Sequence, residues 1–353
     1  MNRCLEQLVR SAILAPSGDN TQPWRFEVDS RSQRIDFHLD PMRDPSPMNS
    51  GQRMARIAVG AALENLVQTV LHSGCSCEIE APRSGALARV RLSVPDGVSI
   101  GLGSATKARV TNRRHYDGRS LPTDFVEKSG LAENPVEGVS THWIVDRARI
   151  GSLAPLIGRG DALMFGEPSM LKAFLSKVRF DAPPNAEVDD GLCLGSLEAK
   201  APDRLALRLM RRLPNRMLRA AGLSRIFDKN AQALVNSASG LCLVVTAEDS
   251  ESSDVQAGRA MQRAWLGLTA EGLAVQPMMS LLVLENVSDY GSSKLVESLG
   301  ADQLATLRVE LRGLVPEIGN GRPAVLLRFG YAQEPSGRTG RLPVGKVAIE
   351  MDC

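Results

Sequence analysis

The chain has 353 residues, 43% hydrophobic and 23% charged, enough to bury one large core or two joined ones, which excludes a disordered or fibrous protein. With 42 basic and 40 acidic side chains the formal charge is +2, too small to draw nucleic acid by global attraction. Six cysteines are too few for a disulfide scaffold, and the one close pair, Cys75-Ser76-Cys77, has no second pair or histidine cluster beside it, so no metal site is expected.

No apolar run reaches the length of a membrane span, and Met1-Asn2-Arg3-Cys4-Leu5-Glu6 lacks the apolar centre of a signal peptide, which makes the cytoplasm the expected compartment. The first predicted element is a helix over 5–14. It delivers the chain into Ala15-Pro16-Ser17-Gly18-Asp19-Asn20-Thr21-Gln22-Pro23-Trp24-Arg25-Phe26, where turn-forming residues hold hydroxyls and amides still, as in a ligand loop. Ile35, Phe37 and Leu39 then alternate as in a half-buried strand. A helix over 57–72 places Leu63, Leu66, Val67, Val70 and Leu71 on one face and stops at Gly74, while Gly60-Ala61-Ala62 would let another backbone approach closely. Val90, Leu92 and Val94 form a further strand, turned by Pro95-Asp96-Gly97.

In Arg109-Val110-Thr111-Asn112-Arg113-Arg114, a spacing of two turns Arg109, Thr111 and Arg113 to the same side of extended backbone. Such a cluster is either a solvated face or a phosphate site, since Arg offers forked donors and a permanent charge. Strands are expected at 142–145, 241–246 and 324–331. Between them, 180–236 carries Pro183-Pro184-Asn185 and then an amphipathic stretch in which Arg204, Arg208, Arg211, Arg212, Arg216, Arg219 and Arg225 share space with Leu205, Leu209, Met210, Leu213 and Leu218. The plain reading is a helical lid with a solvated basic face; a membrane surface or an anionic partner is the sharper one. Met261, Ala264, Trp265 and Leu268 form a helical face that ends at Glu271-Gly272, much as the helix before Gly74 does. Two related helix-and-strand halves suggest a fused dimer.

The loop at 15–26 closely resembles the "APSxxNxQPWxF" loop of the flavin-dependent nitroreductase superfamily. Arg109 to Arg114 resembles that superfamily's phosphate segment, above all the "RHTNRRPF" version of the Acg-type dormancy flavoprotein branch, with Val110 in place of His and His115-Tyr116 in place of Pro-Phe. Gly272-Leu273-Ala274-Val275-Gln276-Pro277-Met278-Met279-Ser280 is similar to the loop that passes the flavin ring. Arg328-Phe329-Gly330-Tyr331 followed by Arg338-Thr339-Gly340-Arg341 resembles the branch's C-terminal arginine segment. The resemblance touches the chain from end to end. It implies an α+β nitroreductase-like fold, an antiparallel or mixed sheet covered by helices and duplicated as a pseudo-dimer in one chain. The first half would span 1–105 and the second 106–353, with the helical lid inserted at about 180–236.

The resemblance further implies one FMN held by Ser17, Asn20, Gln22, Arg109, Thr111, Arg113, Pro277, Met278, Met279, Arg338 and Arg341. Met278 or Met279 would offer a backbone N–H to flavin N5. No catalytic acid or base is assigned. The expected activity is hydride transfer with a small organic substrate; the alternative is a stress-related flavoprotein that sequesters FMN under the lid. The chain would be a monomer of fused halves or a homodimer. Competing motifs fail: Gly340 to Lys346 has Val347 where a phosphate loop needs Ser or Thr, and Gly101-Leu102-Gly103 lacks the third dinucleotide glycine.

Overall fold

The computed structural model describes residues 2–351 apart from Ser84, Asp96, Asn134, Pro184, Asn185 and Ala221, so the turns expected around Asp96 and Pro184-Asn185 lie partly outside the described residues. Asn2 caps α1 (Arg3–Ile13), its side-chain oxygen accepting from the Leu5 N–H, and Leu8, Val9 and Ala12 form the buried face. After the 15–23 loop, β1 (Trp24–Asp29) and β2 (Arg34–Leu39) make an antiparallel hairpin whose Trp24, Phe26 and Val28 point inward. There follow α2 (Arg53–His72), β3 (Ser76–Glu80), β4 (Ala88–Ser93) and two short helices, α3 (Ser104–Ala108) and α4 (Phe125–Lys128). Then β5 (Val139–Ile144) leads into a helical run, α5 (Arg147–Gly166), α6 (Pro168–Lys177), α7 (Ala201–Arg212), α8 (Asn215–Ala220) and α9 (Ser224–Asn236), which returns to β6 (Gly240–Thr246). The chain closes with α10 (Glu251–Ala270), β7 (Ala274–Pro277), α11 (Ser280–Tyr290), α12 (Ser293–Leu299), α13 (Ala301–Leu314), β8 (Arg322–Gly330), α14 (Val344–Val347) and β9 (Ala348–Glu350).

The fold is mixed α+β, but the strands form two sheets rather than one. One runs β3-β4-β2-β1-β9 and the other β5-β6-β8-β7. Read from the opposite end, the second is β7-β8-β6-β5, so each sheet has a hairpin-like outer pair, the same order and wholly antiparallel pairing among its four common strands. Only β9 breaks the match: it returns from the far end of the chain and pairs parallel to β1, Phe26 opposite Ala348.

Between the sheets, α2 and α10 pack against each other through small residues. A Cβ on Gly60 would collide with the Val255 carbonyl oxygen, and a Cβ on Gly258 with that of Ile57, so each helix presents a glycine to the residue three before the other's. Both helices end alike: the Cys75 N–H reaches back to the Val70 carbonyl and the Leu273 N–H to that of Leu268, past Gly74 and Gly272 at φ +72° and +73°. The same interface buries charge. Arg53, 1% exposed, donates to Asp254 at 2.6 Å and to Asn286 and the Pro323 carbonyl, and Glu64, wholly buried, accepts from Arg259 and Arg263.

Some elements depart from expectation. Leu71, expected on the buried face of α2, lies in its last turn and is exposed. The strands β3, β7 and β9 are short and weakly patterned, and α5 and α11 are buried on several sides, which erases the one-faced periodicity that marks a surface helix. No helix among the described residues is long and apolar enough to cross a membrane.

Candidate functional site

The loop after α1 is conformationally forced. Asp19, Asn20 and Gln22 sit at φ 47°, 56° and 52°, a region non-glycine residues occupy at a cost of about 1–3 kcal/mol each. Arg341 holds it there. Its guanidinium donates to the carbonyls of Ile13 (2.7 Å), Leu14 and Ala15, to the Asn20 side chain, and to Thr339 and Gly340. Asn20 in turn donates to the Gly191 and Gly340 carbonyls. Gln22 donates to Asp189 at 2.6 Å and accepts from the Leu342 N–H. Both amides are buried and have partners within the protein.

Against this loop runs the segment after α3. Thr111 bridges Val275 in parallel, and the Asn112 N–H donates to the Val275 carbonyl, which fixes the extended geometry that turns Arg109, Thr111 and Arg113 together. These three, with Ser17, Asp19, Asn20, Lys107, Arg338 and Arg341, line one cavity of about 170 Å³. Gln22, Pro277, Met278 and Met279 stand outside that lining; Pro277 ends β7 two residues beyond Val275, and Met278 and Met279 follow it.

Electrostatically the cavity is cationic: Lys107, Arg109, Arg113, Arg338 and Arg341 line it with only two carboxylates, Asp19 and Glu187. Arg109 lies over the Trp265 ring at 4.8 Å and donates to the Leu14 carbonyl, but its buried Nε has no partner. Burial pushes its guanidinium well below the ordinary arginine range, and Arg341 and Arg338 push it further. Burial likewise lowers Arg341 to about 10 and lowers Arg113, whose only hydrogen bond among the described residues is to the Ser196 carbonyl. Among the described residues no carboxylate forms an ion pair with Arg109, Arg113 or Arg341. Arg338, at the mouth, donates to the Lys107 and Ala108 carbonyls and pairs loosely with Glu334. Half-buried Asp19 is pushed up to about 6 by burial, with Asp44 adding to the shift and Arg113 and Lys177 opposing it. The hydroxyls of Ser17 and Thr111 complete a donor set of the kind a phosphate monoester takes: forked cations and hydroxyls.

Three contributors were not singled out in the sequence. Lys107 falls in a short helix; Glu187 and Ser196 come from the cap between α6 and α7. Arg328, fully buried, donates to Gln276, to the Leu234 carbonyl and to the Arg114 carbonyl at 2.6 Å, and stacks 3.9 Å over Tyr116, so it ties β7 and β8 to the arginine segment. Arg328 stands in the C-terminal segment noted in the sequence, and its place in an otherwise apolar strand, Ala324 to Phe329, marks it for a buried polar role.

No family model matches the chain. An uncharacterized protein, MT1398, of Mycobacterium tuberculosis (strain CDC 1551 / Oshkosh) is 26% identical over 342 residues; the match covers 94% of this chain and 46% of the relative, so the chain spans about half that protein's length. Among solved structures, the crystal structure of the FMN-dependent nitroreductase NfnB from Mycobacterium smegmatis in complex with NADPH aligns over 69% of this chain and 90% of that one, at 14% identity and a TM-score of 0.33.

Proposed function

We propose that the cavity holds the phosphate of FMN and that the chain is a nitroreductase-like, FMN-dependent oxidoreductase acting on a small organic substrate. The observation that carries this reading is the excess of buried guanidiniums over the two carboxylates, Asp19 and Glu187, that line the cavity, neither of which forms an ion pair with Arg109, Arg113 or Arg341. Unpaired buried charge is costly, and an anion with several oxygens relieves it. The residues fit that group: Arg109, with its partnerless Nε, and Arg113, with donors to spare, are assigned the direct contacts, helped by Ser17 and Thr111. Arg341 has its donors engaged with the loop, so its role is to shape the site, as is that of Asn20 and Gln22. Arg338 closes the mouth.

From the phosphate end, β7 leads toward the ring end. At about 3.3 Å of rise per residue, Met278 lies roughly 10 Å along the strand direction from Val275, and Met279 caps α11 directly after it. The Met278 N–H is taken by the Leu326 carbonyl at 2.7 Å, so Met279 is assigned the backbone donor and Pro277 the wall beside it. FMN when bound supplies hydride-transfer chemistry; the protein orients it, excludes water and places backbone dipoles near the ring. The matching sheet orders and the reciprocal Gly60 and Gly258 contacts support reading the chain as a pseudo-dimer of fused halves, 1–105 and 106–353, like the Acg-type branch, with one flavin because only one copy of the loop and one of the arginine segment exist.

A second reading is favoured by one observation. The cavity is below the roughly 300–1,000 Å³ of sites that enclose a whole small-molecule ligand, and the segment bearing Glu187, Asp189 and Gly191 lies against the loop. A cap that closes over the flavin would sequester it without NAD(P)H turnover. Purified protein separates these. A yellow protein with one FMN that is bleached by NAD(P)H, or by an organic reductant, is an oxidoreductase; a yellow protein inert to both sequesters. A colourless protein that takes up no FMN refutes both.

A further inference from the structure

We propose that the cap formed by α7, α8 and the start of α9 docks on an anionic lipid bilayer surface. In α7 Leu207 lies nearly opposite Leu205 and Leu209 at 100° per residue, so one set of leucines must face away from the other. Met210 and Leu213 pack toward the Phe180 and Leu218 cluster, whereas Leu205 and Leu209 are 60% and 54% exposed. They alternate with Arg208 and Arg212 at i, i+3, i+4 and i+7, so the outward stripe of α7 is leucine and arginine interleaved. The next two helices continue the character: Met217 and Ile226 are exposed as well. Four of the ten large apolar side chains exposed on the described surface thus fall within 22 residues, which a solvated lid does not require.

Charge selects the occupant. From 201 to 229 there are eight cationic side chains against Asp203 and Asp228, a net of +6 in a chain of +2, so the remainder is net negative. Arg204, Arg208 and Arg219 have partners, on Ala199, Phe180 and Glu167, but Arg212, Arg216 and Arg225 are exposed and have no ion pair among the described residues. A basic surface studded with aliphatic side chains matches the boundary between anionic headgroups and acyl chains, where leucine inserts and arginine stays with phosphate. A second copy of the chain would place +6 against +6. The attachment is peripheral.

The test is co-sedimentation of the full chain with phosphatidylglycerol-rich vesicles and with phosphatidylcholine vesicles. Binding should be at least tenfold stronger on the anionic vesicles and fall with salt. Leu205→Asp with Leu209→Asp should remove it, and Arg212→Glu with Arg216→Glu should weaken it and flatten its salt dependence. These exposed changes should leave circular dichroism and melting as they were; if they do not, Leu205→Ser with Leu209→Ser provides the milder pair. No binding to anionic vesicles, equal binding to both kinds, or variants that bind like the parent would overturn the proposal. So would concentration-dependent self-association abolished by the same leucine variants.

Discussion

Replacing Arg109 with methionine separates a binding arginine from a structural one. The side chain is 8% exposed, its Nε lacks a partner, and Arg341 and Arg338 are the charges acting on it. Without a bound anion, removing the charge relieves burial cost, for which hydrophobic replacement is often neutral or stabilising by about 1–4 kcal/mol. Against that stand one charged hydrogen bond to Leu14, about 1.5–3 kcal/mol, and the stack on Trp265, about 0.5–2 kcal/mol. These nearly cancel, so the unliganded variant should unfold within about 2 kcal/mol of the parent. Binding should behave otherwise. Losing charge-assisted contacts to a buried phosphate costs about 2–4 kcal/mol, or roughly 30- to 1,000-fold in FMN affinity. Titration by flavin fluorescence, alongside riboflavin, which has no phosphate, reads this directly: the preference for FMN over riboflavin should largely vanish while riboflavin affinity stays put. An unchanged preference, or an apoprotein destabilised by several kcal/mol, would refute the assignment.

Other consequences follow from the same contacts. Gly60→Ala and Gly258→Ala should each destabilise the protein by about 1–3 kcal/mol or more in urea, because the added methyl meets a facing carbonyl that only a shift of α2 against α10 can clear. Asp254→Ala leaves Arg53 buried and unpaired and should cost about 3–5 kcal/mol, with Arg53→Met plus Asp254→Leu recovering most of it; a cost below 1 kcal/mol for the single variant would show the pair to be dispensable. Asp19 tests pH dependence. Its folded pKa, about 6, lies above the ordinary value near 3.8, so the native state holds the extra proton and stability falls as pH rises from about 4 to 6, the cost standing in full above that. Asp19→Asn should therefore be more stable than the parent by about 2–3 kcal/mol at pH 7.5 and nearly equal at pH 4, measured by chemical denaturation at each pH. Arg341→Ala should weaken FMN and riboflavin alike and open 15–22 to limited proteolysis, since that arginine clamps the loop; proteolysis unchanged would remove the clamp role.

What could be read in the sequence follows from which forces leave a local mark. The α2 face, the β2 and β4 alternations, the apolar runs of β6 and β8 and the glycine stops at Gly74 and Gly272 are set by burial and by φ, both local, and each stands in the structure within a few residues of its expected place. The reciprocal approach of Gly60 and Gly258 was visible as a run of small residues, though only its partner gives it meaning. Three strands of the second sheet were expected, but its order was not legible, because strand order is decided by pairing between segments such as β6 and β8, 76 residues apart at Thr246 and Arg322. Nor was the outward turn of Leu205 and Leu209, since an apolar stripe says nothing of which side has a neighbour.

The loop at 15–22 shows why spacing and role come apart. Its motif marks Ser17, Asn20 and Gln22 equally, yet the three residues at positive φ in the same loop need something to hold them, and hydrogen bonds that hold a loop are not free to hold a ligand. Asn20 and Gln22 are given to that task by Gly191, Gly340, Asp189 and Leu342, all more than 150 residues away, whereas Ser17 accepts from the Gln22 N–H and keeps its own proton to donate into the cavity. The direct contacts therefore pass to side chains with donors to spare, Arg109 and Arg113 first. The loop's geometry in turn depends on the C-terminal segment and the cap, so a change in either, however far in sequence from Ser17, acts on the same site.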